Sequence, residues 1–240
     1  MKRIDFHSHI LPKLDDGAEN LAESLKLLKI LKKDGVDIVV ATPHLYLHRD
    51  SLSTFLRRRE ESVKILTEAM ADAEPDSYPE VIIGAEVYLM SGVQSLPLDK
   101  LCIEGTDYMM LELPYSPFTT AFMNSLANFL NFCDVKIILA HVERYFDFSE
   151  PERVNEILDY GLMSQGNCDS IINSRTRKNT LRLIENGDIS LLGTDLHSVR
   201  MRPPHFKEAE QIIRKKLLDG VFENMMSTAE KVLNLKEPEN

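Results

Sequence analysis

No apolar run in the chain approaches the roughly 20 residues of a membrane-spanning helix, so no span is expected. Cysteine is scarce. Cys102, Cys133 and Cys168 are an odd number without Cys-x-x-Cys spacing, and read as free thiols in a reducing cytoplasm. Positive charge is also short: 28 Lys and Arg against 38 Asp and Glu leave a net charge of −10. A nucleic-acid binder usually shows a basic face, so none is expected as partner. An anionic substrate remains open, because bound divalent cations invert the local field. There is no glycine-rich dinucleotide loop, no low-complexity segment and no repeat. The start Met-Lys-Arg-Ile-Asp runs directly into a charged strand, so no signal peptide is expected and the cytoplasm is the expected location. Only Lys236 to Asn240 reads as a tail.

What the chain does have begins at its fifth residue. Asp5-Phe-His-Ser-His9 closes an apolar, strand-like start. Alternate residues of a strand share a face, so Asp5, His7 and His9 point the same way, and two such imidazoles can chelate one metal. A short motif of this kind recurs by chance, and the plain alternative is a satisfied histidine pair. Four more segments tip the balance, each an apolar run ending in His, Asp or Glu.

Apolar periodicity predicts strands near 3–7, 37–42, 81–85, 108–113, 136–140, 162–165 and 189–193. Helices are predicted at about 21–35, 52–73, 121–131, from Pro151, 175–185, 204–218 and 221–234. Asn20-Leu-Ala-Glu23 resembles a capping box, and Gly35 is a plausible stop. The strands are nearly continuous in apolar residues, as in a parallel sheet covered on both faces. Seven β/α units without a break favour one barrel domain over residues 1–240, with an open doubly wound sheet as the main alternative.

In a β/α barrel the C-terminal strand ends converge on one mouth. There the sequence places His7, His9, Asp15, Asp16, His44, Glu86, Glu112, His141, Asp195 and His197. Of seven histidines, five lie at these ends, a distribution that core packing does not explain. A catalytic ion usually takes three or four protein ligands, so nine candidates (Asp15 set aside) with bridging carboxylates suggest two or three ions. Mixed imidazole and carboxylate suits Mn, Fe or Zn.

These residues resemble the PHP (polymerase and histidinol phosphatase) superfamily, and within it the CpsB/YwqE type of bacterial protein-tyrosine phosphatase from capsule and exopolysaccharide operons. The resemblance lies in Asp5-Phe-His-Ser-His-Ile-Leu-Pro-Lys-Leu-Asp-Asp-Gly17, Ala41-Thr-Pro-His44, Gly84-Ala-Glu86, Leu111-Glu-Leu-Pro114, Ala140-His-Val-Glu-Arg-Tyr145, Gly193-Thr-Asp-Leu-His197 and Arg202-Pro-Pro-His205. It implies an α/β fold, a distorted (β/α)7 barrel with a trinuclear metal site at the C-terminal strand ends. One ion would be held by His7, His9, Glu86 and Asp195. Glu86 would bridge to a second, bound by Glu112 and His141. A third would sit on Asp16, His44 and His197. Asp5 is expected to orient a ligand histidine, and Asp15 is the less favoured of its pair. Arg144 and Arg202 would bind phosphate, with Arg200 a competitor for the second role. Arg57-Arg-Arg59 reads as a solvated helix face, and His48 and His205 stay unassigned. Two departures stand out. Leu45 occupies a position where relatives often carry a second His, and Gly-Thr-Asp195 is a mild variant of their strand-seven motif.

The implied chemistry is phosphomonoester hydrolysis, in which a metal-held hydroxide attacks phosphorus while the arginines bind the phosphoryl oxygens. Asp195 or His197 could supply a proton. There is no Cys-x5-Arg loop for a cysteine nucleophile. The implied partner is the phosphotyrosine tail of a bacterial tyrosine kinase that controls polysaccharide assembly. A small-molecule phosphatase such as histidinol-phosphatase is the first alternative, and an amidohydrolase or nuclease-type hydrolase a weaker one. A homo-oligomer is left open.

Overall fold

The computed structural model describes residues 1–199 and 202–235. Strands and helices alternate through it: β1 (Ile4–Ser8), α1 (Leu21–Lys33), β2 (Ile38–Ala41), β3 (His44–Leu45), α2 (Leu52–Ala71), β4 (Glu80–Ile83), β5 (Glu86–Tyr88), β6 (Tyr108–Glu112), α3 (Thr120–Phe132), β7 (Lys136–Leu139), α4 (Pro151–Leu158), β8 (Met163–Asn167), α5 (Cys168–Ile172), α6 (Arg177–Glu185), β9 (Leu191–Gly193), α7 (Phe206–Lys216) and α8 (Val221–Val232). The expected tail at Lys236 lies outside the described residues.

Local chemistry sets the helix ends. Side chains of Asn20, Ser51 and Thr119 accept from the backbone N–H three residues on, satisfying donors that a helix start leaves without partners. The capping box is shifted by one residue: Glu23 Oε2 accepts from the N–H of Glu19, not Asn20. Gly35 follows α1 at φ +92°, a conformation that disfavours a side chain. Pro151 opens α4, where its missing N–H costs nothing.

Every named strand pair is parallel, in the orders β1-β2-β4 and β3-β5-β6-β7-β8-β9. The sheet curls until its last strand meets its first. Ser8 pairs with Leu196 in parallel, and the Asp195 N–H donates to the His7 carbonyl at 2.8 Å. Two strands differ from expectation. The run expected at 81–85 breaks at Gly84 and Ala85 and resumes as β5, and Pro43, which cannot donate, separates β2 from β3. Hydrogen bonds from Gly84 N to Ala41 O (2.8 Å) and Glu86 N to Pro43 O (3.0 Å) carry the pairing across both breaks. The short helix α5 is also unforeseen.

Strands β1, β2, β7 and β9 are buried along nearly their whole length, with helices outside, and Ile4, Phe6, Ile38, Val40, Ile138 and Leu191 are inaccessible or nearly so. The three cysteines are free thiols, Cys168 buried and the others half-buried. The solvated-face reading of 57–59 holds for Arg57, which pairs with Glu61 at 2.8 Å. It fails for its neighbours. Arg58 donates to Leu14 O and Asp50, and Arg59 to Gly84 O and Lys100 O, so these guanidiniums pin α2 to the loops beside it. None of the described helices is long and apolar enough to cross a membrane.

Candidate metal centre

The nine expected donors meet in one cup at the C-terminal strand ends. Their ligand atoms fall into four overlapping groups: His9, Asp16, His44 and His197; His7, His9 and Asp195; His7, Glu86 and His141; His44, Glu86 and Glu112. The Nε2 atoms of His7 and His9 face each other at 3.1 Å. Both look at Glu86 Oε2 (3.3 and 3.4 Å) and at Asp195 Oδ1 (3.5 and 3.3 Å). His141 Nε2 is 2.8 Å from Glu86 Oε1 and 3.7 Å from Glu112 Oε1. His44 and His197 turn their Nε2 atoms to Asp16 at 3.6 and 3.5 Å. Asp16 is the exposed member of an otherwise largely buried set.

Burial disfavours charge, so so many ionisable groups must be compensated. Burial alone would raise the Asp195 and Glu86 carboxyls; the surrounding histidines, with Arg144 at Asp195, hold both well below the usual range. Glu112 goes the other way, pushed up to about 7 by burial and by the charge of Glu86. Of four buried atoms without a hydrogen-bond partner among the described residues, two belong to the donors, His44 Nδ1 and Glu86 Oε2, and they face each other at 2.8 Å. Leaving such an atom unmade costs about 1–3 kcal/mol. A cation accepting both lone pairs would remove that cost, so the donor set fits a metal.

The strand ends are shaped for this. His141 (φ 33°) and Asp195 (φ 53°) adopt left-handed backbone, uncommon outside glycine and frequent at functional sites. Gly17 lets the loop after β1 fold onto the cup: a Cβ there would lie 2.1 Å from the His9 carbonyl oxygen.

Asp15 orients its neighbours. Its Oδ2 accepts from His9 Nδ1 at 2.7 Å and from the His44 N–H at 2.9 Å. Asp5 reaches a ligand histidine through its main chain, not its ring. Its carboxylate accepts from Thr194 N (2.8 Å), Thr194 Oγ1 (2.6 Å) and the His7 backbone N–H (3.3 Å), so it ties β1 to the end of β9 and holds the backbone that carries His7. Arg144 Nη2 and Arg202 Nη1 converge on Asp195 Oδ2 at 2.7 and 3.1 Å. Arg200 lies outside the described residues. His48 and His205 stay out of the cup: the His48 ring lies tilted beside Tyr46, and His205 sits near Asp169 and Glu208.

Four further side chains at the cup were not anticipated. Tyr46 donates to Glu112 Oε2 at 3.3 Å, and Tyr115 Oη lies 3.3 Å from His141 Nε2. Gln165 and Asn167, buried on β8, touch His7, His141 and Asp195. A polar Ser-Gln-Gly-Asn run inside a buried strand was the available signal. A cleft of about 750 Å³ lies between residues 89–98 and α3, lined mainly by apolar side chains such as Leu89, Leu96 and Phe129 and by none of the nine donors.

The family model for capsular polysaccharide synthesis, CpsB/CapC, matches residues 3–234. The chain belongs to the CpsB/CapC family. It is 28% identical over 222 residues to the tyrosine-protein phosphatase CpsB of Streptococcus agalactiae serotype III (strain NEM316), covering 88% of this chain and 89% of that protein. To the tyrosine-protein phosphatase YwqE of Bacillus subtilis (strain 168) it is 26% identical over 220 residues, covering 88% and 84%. Its fold is that of the crystal structures of YwqE from Bacillus subtilis and CpsB from Streptococcus pneumoniae, described as metal-dependent tyrosine phosphatases. That match has a TM-score of 0.78 at 23% identity over 98% of this chain and 96% of that one. The histidinol phosphate phosphatase of Lactococcus lactis, complexed with zinc, L-histidinol and phosphate, matches with a TM-score of 0.60 at 16% identity, covering 89% and 93%.

Proposed function

We propose that this CpsB/CapC-family chain is a metal-dependent protein-tyrosine phosphatase. Its substrate is phosphotyrosine in the cytoplasmic tail of a bacterial tyrosine kinase that regulates capsular or exopolysaccharide assembly. The observation that carries the reading is the meeting of nine imidazole and carboxylate donors in one cup, beside two arginines that share one carboxylate oxygen.

We assign two or three ions of Mn, Fe or Zn. His7, His9, Glu86 and Asp195 would hold one. Glu112 and His141, with Glu86 bridging, would hold a second, and Asp16, His44 and His197 a third. The donor groups match this partition at His7, His9 and Asp195 and at Asp16, His44 and His197; they depart from it at His9, which also joins the third set, and at Glu112 and His141, which join Glu86 in separate groups with His44 and with His7. The scaffold reads as one distorted (β/α)7 barrel over residues 1–240, in which β2 with β3 and β4 with β5 are two broken strands.

Bound ions would supply charge neutralisation at a phosphoryl group and a water of lowered pKa. The side chains of the chain do the rest. Asp195 Oδ2 takes one donor from each of Arg144 and Arg202, which leaves N–H groups of both forks for phosphoryl oxygens. Arg144 is the more enclosed of the two, so its contact is the less screened. A phenol leaves with pKa about 10 and needs less proton assistance than an alkyl alcohol. Asp195 and His197 bind and orient, and either would supply what proton the leaving oxygen still needs. The His197 Nδ1–H donates to the Asp195 carbonyl at 2.8 Å, which aims Nε2 at Asp16.

The test compares phosphate release from a tyrosine-phosphorylated peptide and from histidinol phosphate. Faster release from the peptide supports the reading. Release from histidinol phosphate alone would move the substrate to a small phosphoester.

A further inference from the structure

Strand β8 places no donor in the cup, yet two of its side chains bind donors from three other segments. We infer that Gln165 and Asn167 form an amide relay that fixes the ring of His7 and the carboxylate of Asp195 for cation binding, so that both are positioning residues. The inference rests on the metal-centre reading above.

The direction of every bond in the relay follows from one fixed donor. The backbone N–H of His141 can only donate, and it points to Gln165 Oε1 at 3.0 Å. That atom is therefore the amide oxygen, and the His7 Nδ1 lying 2.9 Å from it must carry the proton. The His7 Nε2 lone pair is then left facing the cup, where Glu86 and Asp195 lie within 3.5 Å. The other end of Gln165 must be its NH₂ group, which donates to Asn167 Oδ1 at 2.8 Å. Asn167 must in turn present Nδ2 to Asp195 Oδ2, at 3.1 Å. One oxygen of Asp195 is thus held by Asn167 and the two arginines, and Oδ1 is left toward His7 and His9.

The relay is built into the core. His7, Gln165, Asn167 and Asp195 are all at most 2% exposed. Gly193 makes room for it, since a Cβ there would lie 2.7 Å from Gln165 Nε2 and 2.6 Å from His7 Cβ. Glu143 Oε1 anchors the far end, accepting from the Asn167 N–H (3.2 Å) and Ser170 Oγ (2.8 Å). A hydrogen bond to the outer nitrogen of a ligand histidine fixes its tautomer, and losing such a partner typically costs 10–100-fold in metal affinity.

The test titrates zinc ions into wild-type, Gln165→Leu and Gln165→Glu proteins against a competing chelator. It also records the histidine ring N–H resonances of each zinc-loaded protein. Gln165→Leu should bind the tightest zinc roughly 10–100-fold more weakly and lose an exchange-protected His7 Nδ1–H signal. Gln165→Glu keeps an acceptor and should retain that signal. Should Gln165→Leu fail to fold, Asn167→Ala carries the affinity arm by removing the link to Asp195, with the same loss expected. Zinc affinity within twofold of wild type and an unchanged His7 signal in the leucine variant would overturn the relay alone. A folded wild type that binds no zinc would overturn the metal-centre reading itself.

Discussion

At the scale of single residues, the cup separates groups that bind from groups that aim. Arg144 touches Asp195 and faces the open side, so Arg144→Ala should lower turnover on a phosphotyrosyl peptide by roughly 10²–10³-fold, as loss of a preorganised charge donor does. The circular dichroism spectrum should stay that of wild type; a rate within a few-fold of wild type would remove Arg144 from phosphate binding. Gly17→Ala is a different kind of lesion. Its new methyl meets the His9 carbonyl, so the loop carrying Asp15 and Asp16 must shift, and a loss of about 1–3 kcal/mol in stability is expected in denaturant titration. Most donors were legible because they end apolar runs, whereas Asp16 sits in the loop after β1 and was placed by the motif around it. Strand alternation gives a face but not a depth: Asp5 lies two residues, about 6.6 Å, further from the mouth than His7, so it holds Thr194 and the His7 main chain and not a ring. Gln165 and Asn167 escaped notice because amides in a weakly apolar strand carry no spacing signature.

At the scale of elements, the caps and the helix–strand ties make separate predictions. Thr119 caps α3, and Thr119→Ala should cost about 1 kcal/mol, read as a lower denaturation midpoint at unchanged slope. Helix α7 is fastened to the start of β1 through Glu210, whose Oε2 accepts from Arg3 at 2.8 Å and whose Oε1 accepts from Arg214 at 2.9 Å. Burial would raise the Glu210 carboxyl, but the two guanidiniums outweigh it and the folded value lies below the usual one. Its contribution is therefore complete above the unfolded value of about 4.3 and fades as pH falls through the folded one. Glu210→Gln should destabilise the protein at pH 7 and progressively less as pH falls below the unfolded value; a loss that does not change with pH would deny the ion pair its role. The types and order of most elements were readable from periodicity. The breaks at Pro43 and Gly84, and helix α5, were not, because they depend on how neighbouring strands curl past one another.

For the whole molecule, the order of strands turns a string of scattered His, Asp and Glu residues into one charged cavity. Residues 7 and 195 become neighbours only because the sheet curls until β9 meets β1. The meeting of β9 and β1 follows from alternating units and parallel-sheet composition, whereas the two ladders with broken strands depend on how Pro43 and Gly84 interrupt the pairing, which periodicity does not carry. A cup holding so many buried carboxylates and imidazoles is poorly compensated without cations, so metal removal should lower thermal stability as well as activity. The most direct measurement is phosphate release from a phosphotyrosyl peptide by chelator-stripped protein, before and after Mn, Fe or Zn is returned, with bound ions counted per chain. The account predicts no release from the stripped protein and recovery as two or three ions bind. Full release by folded, metal-free protein would contradict it.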